Sequence, residues 1–222
     1  EHHAILDIME YLQSQGFHVT YLRVNEEGLV DVNELERALT NQTILVSVMT
    51  ANNETGVLQP IKEIGALLAD HQAYFHTDAV QAYSMIDLNV KDMGIDLLTA
   101  SAHKLNGPKG IGFLYINEET SVKQLQYGGL QERQIRGGTE NLFGAYGFYL
   151  AAKIAMEKKE ENFSYYQKLN ELFLQRLKDE EVEFSINGNR AKALPSILNL
   201  SFPHTKVEQL LTNLDLAGVA AS

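Results

Sequence analysis

The sequence predicts an α/β fold in which a mostly parallel sheet has helices on both faces. Segments with apolar residues at helical spacing alternate along the chain with short apolar runs, a pattern typical of strand–helix–strand units. Residues 43–49 form one such run, nearly continuous and rich in β-branched residues, as expected for a strand buried on both faces. An apolar content of 45% in 222 residues is ordinary for a globular protein and allows a buried core.

The first third of the chain contains two predicted helices and two predicted strands. Apolar residues recur at helical spacing from Ile5 onward, and Gly16 ends this helix. Apolar and polar residues then alternate over residues 18–24, which predicts a strand. Asp31 is placed to cap a second, short helix, and the strand of residues 43–49 follows it.

The middle of the chain continues with one helix and three strands. The helix begins at Ile61, and the strands are expected at residues 74–77, 96–100 and 112–116. Because ligands of parallel sheets bind beyond the carboxyl ends of the strands, the polar residues that follow the strands are candidate site residues. We expect three such clusters to converge on one edge of the sheet: Asn52–Glu54, Asp78 and Ser101–Lys104.

After a glycine-rich loop, the order of the predicted elements changes. The elements are helices at approximately 141–158 and 163–179, strands at 182–186 and 196–202 with a turn at 187–189, and a helix at 206–214. This change predicts a domain boundary near Asn162. Residues 1–161 would form a large domain that is incomplete at its N-terminal side, and residues 162–222 the start of a smaller α+β domain.

Charge and composition exclude several classes of function. The net charge of -11 argues against direct binding of nucleic acids or anionic membranes, which requires clustered lysines and arginines. The absence of cysteine excludes disulfides, thiolate zinc sites and thiol nucleophiles within these residues, and no metal site is predicted. No membrane span is apparent and the first residues do not resemble a signal peptide, so we expect a cytoplasmic location.

Asp78 and Lys104 form the most informative pair because their spacing is typical of enzymes that use pyridoxal phosphate. That cofactor needs a lysine amine to hold its aldehyde and an acid to keep its pyridine nitrogen protonated, and both come from neighbouring strand ends. Asp78 follows one predicted strand and Lys104 lies shortly after the next. Taken alone, each has an ordinary structural interpretation, as a turn aspartate and a solvated surface lysine.

Further motifs occur around this pair in a fixed order. They are Glu1–Ala4, Ala51–Gly56, His76–Gln81, Ser101–Lys104 with Gly107–Gly110, and Gly128–Glu132 through Arg136–Thr139. In this order and spacing they resemble the class V aminotransferases of fold-type I, and within that group the cysteine desulfurases of the NifS/IscS type. The resemblance extends over essentially the whole chain and implies pyridoxal phosphate as the cofactor.

The resemblance implies a role for each matching residue around the cofactor ring. Lys104 would hold the cofactor and later move protons, while Asp78 would pair with the pyridine nitrogen. Gln81 would reach the phenolic oxygen, and Asn53 would lie at the same edge near the substrate. His2 would stack on the ring and relay protons, since the pKa of histidine lies near neutrality.

The resemblance also implies how the cofactor phosphate is bound. Ser101 and His103 would donate hydrogen bonds to it from the turn after a strand. Thr139 would reach the phosphate of the partner subunit, so the resemblance implies a homodimer with the site at its interface.

The activity implied for the full-length protein is conversion of L-cysteine to L-alanine, with the sulfur kept as a persulfide on a cysteine. The sulfur would pass to an acceptor protein, either an iron-sulfur scaffold or a tRNA thiolase. The sequence, however, begins at the stacking histidine and ends before any cysteine and before the arginine that binds the substrate carboxylate. We therefore expect a fragment that is inactive by itself.

Two alternatives stay open from the sequence. Another class V enzyme, such as a selenocysteine lyase, an aminotransferase or a kynureninase-like hydrolase, would share the chemistry of Lys104 and Asp78; the Arg136–Asn141 loop and the Val219–Ser222 end favour the desulfurase. A non-catalytic sulfur-transfer scaffold would keep the fold only. The intact polar set argues against it, because a structural domain gains nothing by burying such groups.

Overall fold

Six α-helices and six strands form the chain, and the computed structural model describes all of residues 1–222. The helices are α1 (His3–Ser14), α2 (Val32–Ala38), α3 (Ile61–Leu68), α4 (Leu142–Glu157), α5 (Lys159–Asp179) and α6 (Val207–Leu216). The strands are β1 (Leu45–Ser47), β2 (Tyr74–Asp78), β3 (Leu97–Ser101), β4 (Gly112–Ile116), β5 (Ser185–Ile186) and β6 (Leu200–Ser201). None of the helices is both long and apolar enough to cross a membrane.

The main sheet has four strands in the order β1-β2-β3-β4. Strands β1, β2 and β3 are parallel, whereas β4 runs antiparallel to β3. The α/β class and the mostly parallel sheet predicted from the sequence are therefore confirmed. Because the three parallel strands run in one direction, their carboxyl ends meet at the same edge of the sheet.

The two faces of this sheet differ sharply in polarity. Residues paired across parallel strands share a face, so Val46 of β1, Phe75 of β2 and Leu98 of β3 fall on one side. These residues belong to one hydrophobic cluster with Ile64 of α3 and Phe148 of α4, which places the core on this face. The opposite face begins with Leu45, Tyr74 and Leu97 and becomes polar towards the carboxyl ends of the strands. Its polar side chains are Ser47, His76, Asp78, Thr99 and Ser101.

In the first third of the chain one strand prediction is wrong and another is too long. Residues 18–24 form no strand, apart from an isolated pairing of Val24 with Val30, because an alternating pattern becomes a strand only with a hydrogen-bonding neighbour. The run at 43–49 is a strand only over β1, and Ile44 is 62% exposed. Leu45, the first residue of β1, is also partly exposed, so the start of this strand is not buried on both faces.

The C-terminal part forms a second, two-stranded antiparallel sheet from β5 and β6, whose strands are shorter than predicted. This part is bonded to the first half of the chain: Leu58 donates its backbone N–H to Lys192 O (2.7 Å) and Leu194 donates to Gly56 O (2.9 Å). Asn162 lies within the continuous helix α5. The division into domains at residue 162 stays a prediction.

Close contact between α3 and the loop before β3 generates a stability prediction at Gly65. A Cβ at this position would lie 1.8 Å from the carbonyl oxygen of Met93. By helix propensity alone, Gly65→Ala would stabilise the protein by about 1 kcal/mol. We expect the clash to dominate and to lower the free energy of unfolding by about 1–3 kcal/mol.

Urea unfolding measures this effect, with Lys62→Ala at an exposed position of the same helix as the control. The control is expected to change the free energy of unfolding by less than about 0.5 kcal/mol. A stabilised Gly65→Ala variant would contradict the packing of α3 against Met93.

Candidate active site

The carboxyl ends of β1, β2 and β3 are joined by hydrogen bonds between successive strands. Thr50, just after β1, donates its N–H to the carbonyl oxygen of Asp78 (2.8 Å), and Ala79 donates to the carbonyl oxygen of Thr99 (2.9 Å). Ser101 is the last residue of β3. The side chains that follow the three strands are thereby held at one edge of the sheet.

Asp78 is the central side chain of this edge. The residue is only 9% exposed, yet its carboxylate receives a single hydrogen bond, from the backbone N–H of Val80 to Oδ1 (2.9 Å). The second oxygen, Oδ2, has no partner in the protein. A nearly buried carboxylate with a free oxygen can accept a hydrogen bond from, or neutralise, a cationic ligand.

Lys104 lies on a short 3-10 helix, Ala102–Leu105, that begins directly after β3. Ala102 and Leu105 are buried and fix this turn against the core, where α4 packs on it. Gly107 closes the turn by donating its N–H to Ala102 O (2.9 Å). The Lys104 side chain is exposed and forms no ion pair or hydrogen bond within the chain.

Other polar side chains suited to an anion or a ring substituent follow the same three strands. Ser101 Oγ and His103 Nδ1 are 3.0 Å apart and lie on either side of the start of the 3-10 helix. Gln81 and Asn53 are half-buried, and neither side chain has a hydrogen-bond partner. The turn after β1 is held instead by Asn52, whose Oδ1 accepts from Glu54 N (3.0 Å) and Thr55 N (2.9 Å).

His2 and Thr139 are the two predicted site residues on more exposed segments. His2 caps α1 by accepting the N–H of Ala4 at Nδ1 (3.0 Å). Since Nδ1 is an acceptor, the proton of the neutral imidazole is on Nε2, which makes no hydrogen bond. Thr139 is exposed in the glycine-rich loop without a partner, and nothing within this chain brings it to Lys104.

His76 is a site residue that sequence reasoning did not single out. It is buried on the same face as Asp78, with its Nδ1 2.8 Å from Ser47 Oγ and its Nε2 3.4 Å from Thr99 Oγ1. Burial lowers the pKa of His76, and the negative charge of Asp78 opposes this in part. The sequence could have indicated His76, because residues two positions apart in a strand share a face and His76 lies two positions before Asp78.

Glu1 is the second residue that the sequence did not reveal as part of the site. Its Oε1 accepts the backbone N–H of Met49 at the end of β1 (2.6 Å). Although the residue as a whole is exposed, burial of its carboxyl group raises the pKa of Glu1, and the charge of Asp78 acts in the same direction. The hydrogen bond from Met49 and the chain's amino group act in the opposite direction.

These side chains fit the chemistry of pyridoxal phosphate. Asp78 Oδ2 offers the acceptor that a protonated pyridine nitrogen needs, and Lys104 offers an unpaired amine for the aldehyde. Ser101 and His103 supply hydrogen-bond donors for a phosphate. A ring nitrogen, an aldehyde and a phosphate are the three groups of that cofactor which a protein has to bind.

Known proteins resemble the chain over its whole length. The family model described as Aminotransferase class-V matches residues 1–222. The chain is 50% identical over 222 residues to a Bacillus subtilis (strain 168) protein named "Putative cysteine desulfurase IscS 1", and 46% identical over 224 residues to "Cysteine desulfurase IscS" of Clostridium botulinum (strain Hall). Both alignments include 100% of this chain but only 59% and 56% of those proteins, respectively.

Among solved structures, a "NifS-like protein" superimposes on the chain with a TM-score of 0.95 at 35% sequence identity. The superposition covers 100% of this chain and 61% of that protein. The chain thus spans little more than half the length of the relatives it matches.

The buried His76 generates a prediction on pH and stability. Because its pKa is lowered in the folded state, the unfolded chain takes up a proton first as the pH falls below 6.5, the ordinary value. The stabilisation is complete above that pH and is lost progressively as the pH falls through the folded-state pKa. We expect the urea midpoint of the wild type to fall over this range.

The His76→Asn variant keeps a polar side chain but cannot titrate, so part of this pH dependence should disappear. His18→Asn, at an exposed histidine without hydrogen bonds, is the matched control and should retain the dependence of the wild type. Identical pH profiles for His76→Asn and the wild type would contradict the buried neutral state of His76.

Proposed function

Because the chain belongs to the class-V aminotransferase family, we propose that it forms the cofactor-binding part of a pyridoxal-phosphate-dependent cysteine desulfurase. Pyridoxal phosphate is the cofactor of this family. The proposal rests on one observation above all: a nearly buried carboxylate with a free oxygen, Asp78, and an unpaired amine, Lys104, follow adjacent parallel strands. When bound, the cofactor supplies a cationic ring that accepts electrons from the bonds of an attached substrate.

The residues of this chain would bind and orient the cofactor and move protons around it. Asp78 Oδ2 would hold the proton on the ring nitrogen, and its low exposure excludes water that would weaken the interaction. Lys104 Nζ would bind the aldehyde and, once released by the substrate amine, would carry protons. Nε2 of His2 is the second available proton carrier, because Nδ1 is used in the helix cap.

The polar groups around the pair would set the orientation of the cofactor. Ser101 and His103 would donate to its phosphate, and Gln81 to its phenolic oxygen. Asn53 would lie on the substrate side of the same edge. Gln81 and Asn53 suit these roles because neither has a hydrogen-bond partner within the protein.

The sulfur-accepting thiolate has to come from outside these 222 residues, which contain no cysteine. In the proposed reaction that thiolate takes the sulfur atom of L-cysteine and L-alanine leaves, so the chain alone would form no persulfide. The whole protein would work in the cytoplasm, where thiols stay reduced. Its persulfide would serve an acceptor protein of iron-sulfur assembly or tRNA thiolation, since a net charge of -11 disfavours direct RNA binding.

A homodimer is part of the proposal, and the outer face of α4 is its interface. While α4 buries Gly144, Phe148 and Ala152, its other side exposes large apolar residues, and Phe143 is 94% exposed. A contiguous apolar surface of this kind marks an interface. Thr139 lies three residues before α4 begins, so a second copy docked on α4 would bring Thr139 towards its partner's site. The exposed residues of this face are Leu142, Phe143, Tyr146, Tyr149, Leu150 and Ile154.

Replacement of Lys104 tests the proposed function. In the full-length protein, Lys104→Ala should lower the rate of L-alanine formation from L-cysteine by about 10³-fold or more. The variant lacks the amine that would bind the cofactor aldehyde and carry protons, and the other site residues depend on that amine. Lys109→Ala is the matched control, because Lys109 is an exposed lysine five positions on without an ion pair. A Lys104→Ala protein with wild-type activity would overturn the proposed function.

Replacement of Phe143 tests the dimer. Phe143→Glu places a charge in the centre of the apolar face, and we expect the dimer dissociation constant to rise by about 100-fold or more. Sedimentation equilibrium measures the change, and Lys168→Glu on the exposed side of α5 is the control for the altered charge. If both variants dimerise as the wild type does, α4 is not the interface.

A further inference from the structure

The first segment of the chain is attached to the sheet by one hydrogen bond. Among all hydrogen bonds of residues 1–22, only the bond from Met49 N to Glu1 Oε1 connects them to the rest of the protein. The others lie within α1 and its ends. The bond is 2.6 Å long and spans 48 positions in the sequence. Apolar residues of α1 are partly buried as well, so Glu1 supplies the polar contact of this segment with the sheet in addition to apolar packing.

The hydrogen bond between Met49 and Glu1 lies next to the candidate site. Met49 lies two residues after the end of β1, and the next residue, Thr50, donates its N–H to the carbonyl oxygen of Asp78 (2.8 Å). The carboxyl group of Glu1 thus lies close enough to Asp78 for their charges to interact. The beginning of α1 is fixed at the carboxyl edge of the sheet, where Asp78 and Lys104 are located.

His2 comes immediately after Glu1 and makes no hydrogen bond to the sheet. Its Nδ1 is bound to Ala4 N at the start of the same helix, which fixes the ring relative to α1 but not relative to the sheet. Neither His2 nor its neighbour His3 bonds to any residue beyond Asp7. The residue directly before His2, Glu1, is the one that is hydrogen-bonded to the sheet.

We propose that Glu1 is a positioning residue for His2, because its hydrogen bond to Met49 N places the imidazole at the cofactor edge. This role rests on the proposed function, in which His2 contacts the cofactor. The required property is an acceptor oxygen that reaches Met49, which glutamine also provides. The negative charge itself is not required, since it lies near the like charge of Asp78.

A double-mutant cycle in the full-length protein tests this role, with pyridoxal phosphate affinity measured by absorbance titration. Glu1→Ala and His2→Ala are each expected to weaken binding by about tenfold, a loss in the range of one hydrogen bond to a charged group. The double variant should bind pyridoxal phosphate no more weakly than the single variant that has the lower affinity, because both changes remove the same contact. Glu1→Gln should bind within about twofold of the wild type.

Glu10→Ala is the matched control, because Glu10 is an exposed carboxylate of α1 with no hydrogen bond, and it should bind as the wild type does. Hydrogen exchange gives a readout independent of the cofactor: the Met49 amide should exchange faster in Glu1→Ala and remain protected in Glu1→Gln and Glu10→Ala.

Three results would overturn the proposal. If Glu1→Ala binds pyridoxal phosphate as the wild type does, the role of Glu1 is wrong while the proposed function still stands. An unchanged exchange rate of the Met49 amide in Glu1→Ala would have the same meaning. A double variant weakened by the product of the two single effects would show that Glu1 and His2 act independently. A wild-type protein that fails to bind pyridoxal phosphate would instead overturn the proposed function, and the role of Glu1 with it.

Discussion

The parallel register of β1, β2 and β3 is the constraint on which the rest of the structure depends. Pairing Ser47 with His76 and Val46 with Phe75 gathers polar side chains on one face and apolar side chains on the other. A slip of one residue in β2 would turn Asp78 towards the core and Phe75 towards the polar face. Burial of Phe75 in the hydrophobic cluster therefore fixes the register, and the register fixes the candidate site.

The polar face is arranged around the negative charge of Asp78. Burial lowers the pKa of His76 and so favours its neutral form, and the hydroxyls of Ser47 and Thr99 that flank it carry no charge. Burying the Asp78 carboxylate with one oxygen unpaired costs free energy, because that oxygen loses its water and gains no partner. A cationic ligand would relieve this cost, so binding at Asp78 would also stabilise the folded chain. Lys104, by contrast, is exposed and has no partner within the chain.

The sequence was informative where a feature depends on neighbouring residues and uninformative where it depends on distant ones. The spacing of Asp78 and Lys104 predicted two side chains at adjacent strand ends, which the structure contains. Residues 18–24 were wrongly predicted as a strand because strand formation requires a partner that alternation does not identify. The Glu1–Met49 bond could not be predicted, since it joins groups 48 positions apart without any local pattern. The role of Thr139 depends on a second copy of the chain and stays a prediction.

The most direct test of the account is to locate the lysine that binds the cofactor. The full-length protein is incubated with pyridoxal phosphate, reduced with borohydride, and digested for peptide mass mapping. We expect a pyridoxyl group on Lys104 alone, because that amine is unpaired and follows the strand adjacent to the one that ends at Asp78. A modification spread over several surface lysines, or absent from Lys104, would contradict the assignment of this strand edge as the cofactor site.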